Sequence, residues 1–194
     1  MTDTFTHDTF LSPFTWRYGS EPMRKIWSLT HQRQLWRQIW VALAEAQSKV
    51  GLVSTEQVED LRKHQNNINI ARANEFEADL HHDLMAEVHT YAEQCPIGGG
   101  IIHLGATSMD IEDNADAMRL QQSTALILEN LRVLLECLAN QIQAHADTVC
   151  MAFTHIQPAE PTTIGYRLAF YAQDLLEDYL MLKTLHEKIR GKGF

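Results

Sequence analysis

Ten histidines occur in this 194-residue chain, and four of them, His81, His82, His103 and His155, fall in or beside short polar breaks. Imidazole titrates near neutral pH, so a histidine held in one place can give or take a proton during a reaction. His155 has the most informative setting, in Phe153-Thr154-His155-Ile156-Gln157-Pro158-Ala159, a polar break between two long amphipathic stretches. Upstream, Gly98-Gly99-Gly100 lead into Gly105-Ala106-Thr107-Ser108, which opens the first of those stretches. A helix N-terminus carries free N–H groups and a partial positive charge, so a carboxylate or phosphate can dock there, and the glycines would let a ligand approach the backbone. Thr107 and Ser108 serve equally well as plain helix caps, with Asp110 placed three residues after Thr107 as in a capping box. His155, likewise, could be a solvated loop side chain.

Two further segments carry candidates. His81, His82 and Asp83 begin a predicted helix, and Asp83 could orient an imidazole or neutralise its charge. Arg17 and Tyr18 lie in Trp16-Arg17-Tyr18-Gly19-Ser20-Glu21-Pro22-Met23. There Trp16 and Tyr18 read as core anchors and Arg17 as a surface charge, although arginine is also the preferred partner for a phosphate or carboxylate. The histidines have no H-E-x-x-H and no Cys/His cluster at zinc spacing, so no metal is expected. Neither phosphate-binding glycine motif, G-x-x-x-x-G-K-[ST] or G-x-G-x-x-G after a strand, is present.

The elements that must position these residues read as helices. Apolar residues recur at helical spacing from Pro22 to about Val50, including Ile26, Trp36, Ile39, Trp40 and Leu43, with Gly51 as the stop. Shorter helices are predicted over Ser54–His64, Ile68–Glu77 and His82–Cys95, the last ended by Pro96. From Ser108 to about Thr148 there is no Pro or Gly. Leu120, Thr124, Ile127, Leu131, Leu134, Leu138 and Ile142 step along that run like a bundle seam. Such a helix is roughly 60 Å long. A second runs from Thr162 to about Arg190, with Pro161 suited to its first turn. The expected fold is all-α: a compact helical domain over 1–105, then long antiparallel helices over 106–194. Two apolar-seamed helices cannot bury each other all round, so an oligomeric helical bundle is expected.

Composition bounds the rest. The chain is 45% hydrophobic with a formal net charge of −9, enough for a core and unsuited to general binding of nucleic acid or a membrane surface. No apolar run reaches the roughly 20 residues of a membrane span. Met1 to Phe14 is polar and does not resemble a secretory signal. Cys95, Cys137 and Cys150 are odd in number and widely spaced, which favours reduced thiols and a cytoplasmic protein, with Cys137 among leucines read as a core residue.

In order and spacing, these segments resemble the adenylosuccinate lyase family of the fumarase/aspartase superfamily, over essentially the whole chain from Arg17 onward. His82-Asp83-Leu84-Met85-Ala86 is similar to its R-H-D-[VL]-M-A segment, and Ile101 to Ser108 to its G-x-x-H-x-G-A-T-S segment. Asp113-Asn114-Ala115-Asp116 resembles D-N-x-D, Thr154 to Ala159 matches T-H-x-Q-P-A, and Arg190-Gly191-Lys192-Gly193 loosely resembles the region that follows. The resemblance implies β-elimination of fumarate from adenylosuccinate, giving AMP, and the matching cleavage of the succinylated carboxamide ribotide of purine synthesis. It implies His155 as general acid, with His82 as its partner or a phosphate-side contact. Thr107 and Ser108 would hold the succinyl carboxylates, and Arg17, Tyr18 and Asp83 the nucleotide. Thr154 and Gln157 would line the site. No cofactor is implied, and the family assembles as a tetramer whose sites draw on three subunits.

Two departures accompany the match. At position 81, among the nucleotide-side contacts, the family usually has arginine, whereas His81 is shorter and only partly charged at neutral pH. The family's S-S-x-M-P-x-K-x-N-P loop, which carries the serine base, does not occur before Phe194, so this chain is expected to hold the acid side of a site and to be inactive alone. Competing readings are a non-catalytic helical assembly module and a related lyase or cycloisomerase acting on another dicarboxylate.

Overall fold

The computed structural model describes residues 7–10, 12 and 14–193, without the side chain of Trp16, so the reading of Trp16 as a core anchor lies outside the described residues. The described residues divide into two compact units, one comprising residues up to Leu120 together with Arg190–Phe194, the other Gln121–Ile189. The fold is all-α apart from one β-hairpin.

The first unit contains α1 (Thr15–Tyr18), α2 (Glu21–Ile26), α3 (Leu29–Lys49), α4 (Thr55–His64), α5 (Ile70–Leu80), α6 (Asp83–Gln94) and the first turns of α7 (Ser108–Ala144). The single helix expected from Pro22 to Val50 is two. Ser28 breaks it, its hydroxyl accepting from His31 N–H at 3.2 Å and donating to the Lys25 carbonyl at 2.8 Å. Apolar spacing runs across this break, which is why the sequence pattern does not show it. Ser54 caps α4 in a reciprocal box with Gln57, satisfying helix-end N–H groups that have no partner within the helix. Leu35, Trp36, Trp40, Val41 and Ala44 of α3 form the core with Val58 and Leu61 of α4, Leu84, Val88 and Tyr91 of α6, and Ile111 and Ala115 of α7. Tyr18 is 71% exposed and anchors no core.

A charged clasp lies inside this core. The Glu87 side chain on α6 is fully buried and accepts from Arg33 at 3.0 Å and from Arg37 at 2.7 Å, both on α3. Arg37 also donates to the carbonyls of His64 and Asn67 and to Gln94 Oε1, and its guanidinium lies 4.3 Å from the Tyr91 ring centroid. One side chain thereby ties α3 to α6 and to the loop after α4. The glycine run after α6 serves packing: a Cβ on Gly98 would stand 2.6 Å from the Gln57 carbonyl, and on Gly99 2.7 Å from that of Ala92.

In the second unit, α7 continues to Ala144 and turns back through β1 (Val149–Thr154) and β2 (Gln157–Thr163) into α8 (Ile164–Lys188). The polar break around His155 is therefore an antiparallel hairpin with Thr154 opposite Gln157. Pro161, expected in the first turn of the last helix, sits in β2 opposite Met151, and Thr163 caps α8 instead. The two helices run antiparallel: Thr124 Oγ1 lies 2.6 Å from His186 Nδ1 at one end. At the other, Gly165 approaches so closely that a Cβ would meet the Ile142 carbonyl at 2.6 Å. Cys137 is exposed, not a core residue, because its stretch of α7 has no covering layer.

Removing one partner of a buried ion pair leaves the other charge desolvated and unpaired, which costs about 3–5 kcal/mol. Glu87→Ala should lower the unfolding free energy by that amount in urea titrations. A loss below about 1 kcal/mol, the range of exposed pairs, would contradict the clasp.

Candidate active site

Two helix starts carry the first group of candidate residues. α5 ends on His81, whose φ of 53° is left-handed and turns the chain sharply. His82 follows in extended conformation as the N-cap of α6. Its Nδ1 accepts from Met85 N–H at 3.5 Å, the outer limit of a hydrogen bond, and lies 3.6 Å from Asp83 Oδ1. Its Nε2 lies 3.4 Å from Ser108 Oγ at the start of α7. The structure thus brings together His82, Asp83 and Ser108, from segments 26 residues apart.

Thr107 lies one residue before α7. Its N–H donates to Asp110 Oδ2 at 2.8 Å while Asp110 N–H donates to the Thr107 carbonyl at 3.0 Å, the carboxylate half of a capping box. The Asp110 carboxyl is held below the usual range, first by the Thr107 N–H and then by Lys192. Glu112, one turn after Ser108, is pushed up by burial and by Asp83.

His103 joins this site. In the sequence it stands out as one of the four histidines at the polar breaks and as the histidine of the G-x-x-H-x-G-A-T-S segment, with no sign of its partner. Its φ is 67°, and its Nδ1 accepts from the Trp40 indole N–H at 3.2 Å with the two rings edge to face. That contact leaves the proton on Nε2. Burial lowers its pKa from the ordinary value, with Asp110 opposing and His82 adding to the shift.

Arg17 and Tyr18 lie at the end of α1 and are exposed, the guanidinium 5.8 Å from the tyrosine ring centroid. Among the described residues, no hydrogen bond or ion pair joins either to His82, Thr107 or Ser108. In the second unit, Thr154 and Gln157 are the paired residues that flank a two-residue turn of His155 and Ile156. Both turn residues have positive φ, 49° and 65°, as a type I′ hairpin requires. Asn-Gly is the usual choice there. A β-branched isoleucine in this conformation is strained, and Ile156 is 92% exposed, so no burial offsets it. The turn presents the His155 imidazole at an exposed tip.

The pattern of the lyase family matches residues 17–192. The chain is 39% identical over 191 residues to the adenylosuccinate lyase of Saccharomyces cerevisiae, covering 96% of this chain and 40% of that protein. It is 36% identical over 188 residues to the adenylosuccinate lyase of Schistosoma mansoni, with 96% and 39% covered. The chain therefore spans about 40% of the length of the curated relatives it matches. Among solved structures, the 3-carboxy-cis,cis-muconate lactonizing enzyme from Pseudomonas putida superposes with a TM-score of 0.81 at 26% identity, over 89% of this chain and 41% of that one. The fumarate lyase from Mesorhizobium sp. BNC1 superposes with 0.77 at 24% identity, over 84% and 39%, a likeness of fold.

A histidine whose folded pKa is depressed contributes stability above its unfolded pKa, and that contribution is lost as pH falls through the folded value. The wild-type chain should therefore lose stability on acidification from about pH 7 to about pH 5, and His103→Gln should flatten that slope. An identical slope in the variant would contradict the neutral, buried His103.

Proposed function

This chain belongs to the lyase family, and we propose that it is the N-terminal portion of an adenylosuccinate lyase, a cytoplasmic carbon–nitrogen lyase of purine synthesis. The proposed reaction is β-elimination of fumarate from adenylosuccinate, giving AMP, and from the succinylated aminoimidazole carboxamide ribotide. Because the chain spans about 40% of its relatives' length, the activity is assigned to the enzyme that contains it.

The reaction removes a weakly acidic proton from the carbon beside a carboxylate, spreads the charge onto that carboxylate, breaks the C–N bond and protonates the departing nitrogen. Thr107 and Ser108 hold the succinyl carboxylates, where N–H groups at the α7 terminus meet developing negative charge. His155 protonates the nitrogen. A strained, exposed turn suits that role, because it holds the backbone of His155 in one conformation and leaves the ring accessible. His82 acts as its partner or meets the phosphate side, and Arg17, Tyr18, His81 and Asp83 contact the nucleotide. Thr154 and Gln157 line the site beside the acid. The reading calls for no metal or organic cofactor. The observation that supports it best is the 3.4 Å approach of His82 Nε2 to Ser108 Oγ, which puts an imidazole beside the first residue of α7.

The same reading includes assembly into a homotetramer. Ile127, Leu134, Leu180 and Leu185 in the second unit are 41–55% exposed, a seam that a bundle would cover. A related lyase or cycloisomerase on another dicarboxylate is the second reading, favoured by the likeness to the muconate lactonizing enzyme.

In the complete enzyme, His155→Ala should lower the turnover of fumarate release from adenylosuccinate by roughly 10²–10⁴-fold. A drop below about tenfold, under the low end of that range, would make His155 structural. In sedimentation across a concentration series the chain should self-associate; a sharp, concentration-independent monomer would contradict the bundle.

A further inference from the structure

Lys192 is held against the start of α7 from several sides. Its ammonium lies 3.2 Å from Asp110 Oδ1. Its carbonyl accepts from the Asn114 side-chain amide at 3.0 Å, and the same amide donates to the Asp110 carbonyl at 2.6 Å. Next to it, Gly191 runs so close to Asn114 that a Cβ would collide with Oδ1. Asn114 thereby straps the backbone of residues 191 and 192 onto the helix, which brings the Lys192 side chain, itself 45% exposed, alongside Asp110.

What it meets there is a problem for anion binding. Asp110 lies three residues from Thr107, accepts that residue's N–H at 2.8 Å, and has a side chain only 13% exposed. A poorly solvated carboxylate takes up one helix-start donor and repels any anion brought to the others. The groups that face Asp110 are the Thr107 N–H, Lys192 and the neutral His103. Of these only Lys192 carries a full positive charge.

We propose that Lys192 is a positioning residue that masks the charge of Asp110, so that Thr107 and Ser108 can accept a doubly charged dicarboxylate. The proposal deepens the functional reading above and rests on its assignment of Thr107 and Ser108 as the carboxylate site. Lys192 acts through Asp110, so removing both charges should restore what removing one takes away. A direct contact between Lys192 and the ligand would show no such rescue.

The test is a titration of the complete enzyme that contains this chain with succinate, followed by the amide resonances of Thr107, Ser108 and Met109, together with a pH titration of the Asp110 carboxyl. Lys192→Met should weaken succinate binding by about tenfold, the effect of one uncovered charge close to the ligand at intermediate dielectric. Lys192→Arg should bind like wild type, and Lys192→Met/Asp110→Asn should return to within about twofold of it, a small fraction of the charge effect. In Lys192→Met, Asp110 should titrate at higher pH. Unchanged binding in Lys192→Met, no rescue in the double variant, or an unmoved Asp110 would each overturn the masking role. Failure of every variant, wild type included, to bind succinate while Asp110 still moves would instead overturn the dicarboxylate reading, and with it the ligand role of Lys192.

Discussion

The placement of His82 depends on a buried charge. Glu87 lies in the second turn of α6, the helix His82 caps, and two arginines of α3 grip it in the core. An ion pair so deep gains little over apolar packing, but it resists sliding. Apolar side chains tolerate a small shift along a helix, whereas a carboxylate shared by Arg33 and Arg37 has one register in which both are satisfied. Arg37 extends that register to the carbonyls after α4 and to Gln94. With α6 fixed along its axis, its first residue faces the start of α7, whose Ile111 and Ala115 share the same core.

Two of the candidate residues, His81 and His155, sit where the backbone is strained. Among the described residues, the non-glycine positions with left-handed φ are His81, His103, His155 and Ile156. Each such position costs on the order of 1–2 kcal/mol. His103 has a local return, the indole N–H of Trp40, and His81 ends one helix so that the next can begin on His82. At the hairpin tip no such return is visible: His155 and Ile156 occupy a turn that Asn-Gly would fill without strain. That cost is accounted for if His155 must stand at that tip to protonate a leaving group.

Much of this was legible in the sequence. Capping residues and Pro96 mark α4 to α6 within a few residues, and the Gly- and Pro-free run marks α7. Thr107, Ser108, His82 and Asp83 were readable as helix-start residues because capping is local. What depends on tertiary contact was not. Glu87 and the arginines look like ordinary surface charges in a helix, yet they are core. Trp27-Ser28 interrupts an apolar pattern that continues across it. The hairpin was invisible because its strands are mostly exposed, contain Pro158 and Pro161, and turn on His-Ile. Cys137 reads as core because its neighbours are leucines, but that face of α7 lies open within this chain. Lys192 meets Asp110 across 82 residues of sequence, a distance no local pattern spans.

The most direct measurement is a crystal structure of the assembled enzyme containing this chain, with AMP and fumarate bound. Fumarate should lie with a carboxylate on Thr107 and Ser108, and the His155 imidazole should stand about 3 Å from the amine nitrogen of AMP, within hydrogen-bond reach. Fumarate bound away from the α7 start, or a His155 ring turned from the nitrogen with another side chain in its place, would contradict the assignment of this chain as the acid side of the elimination.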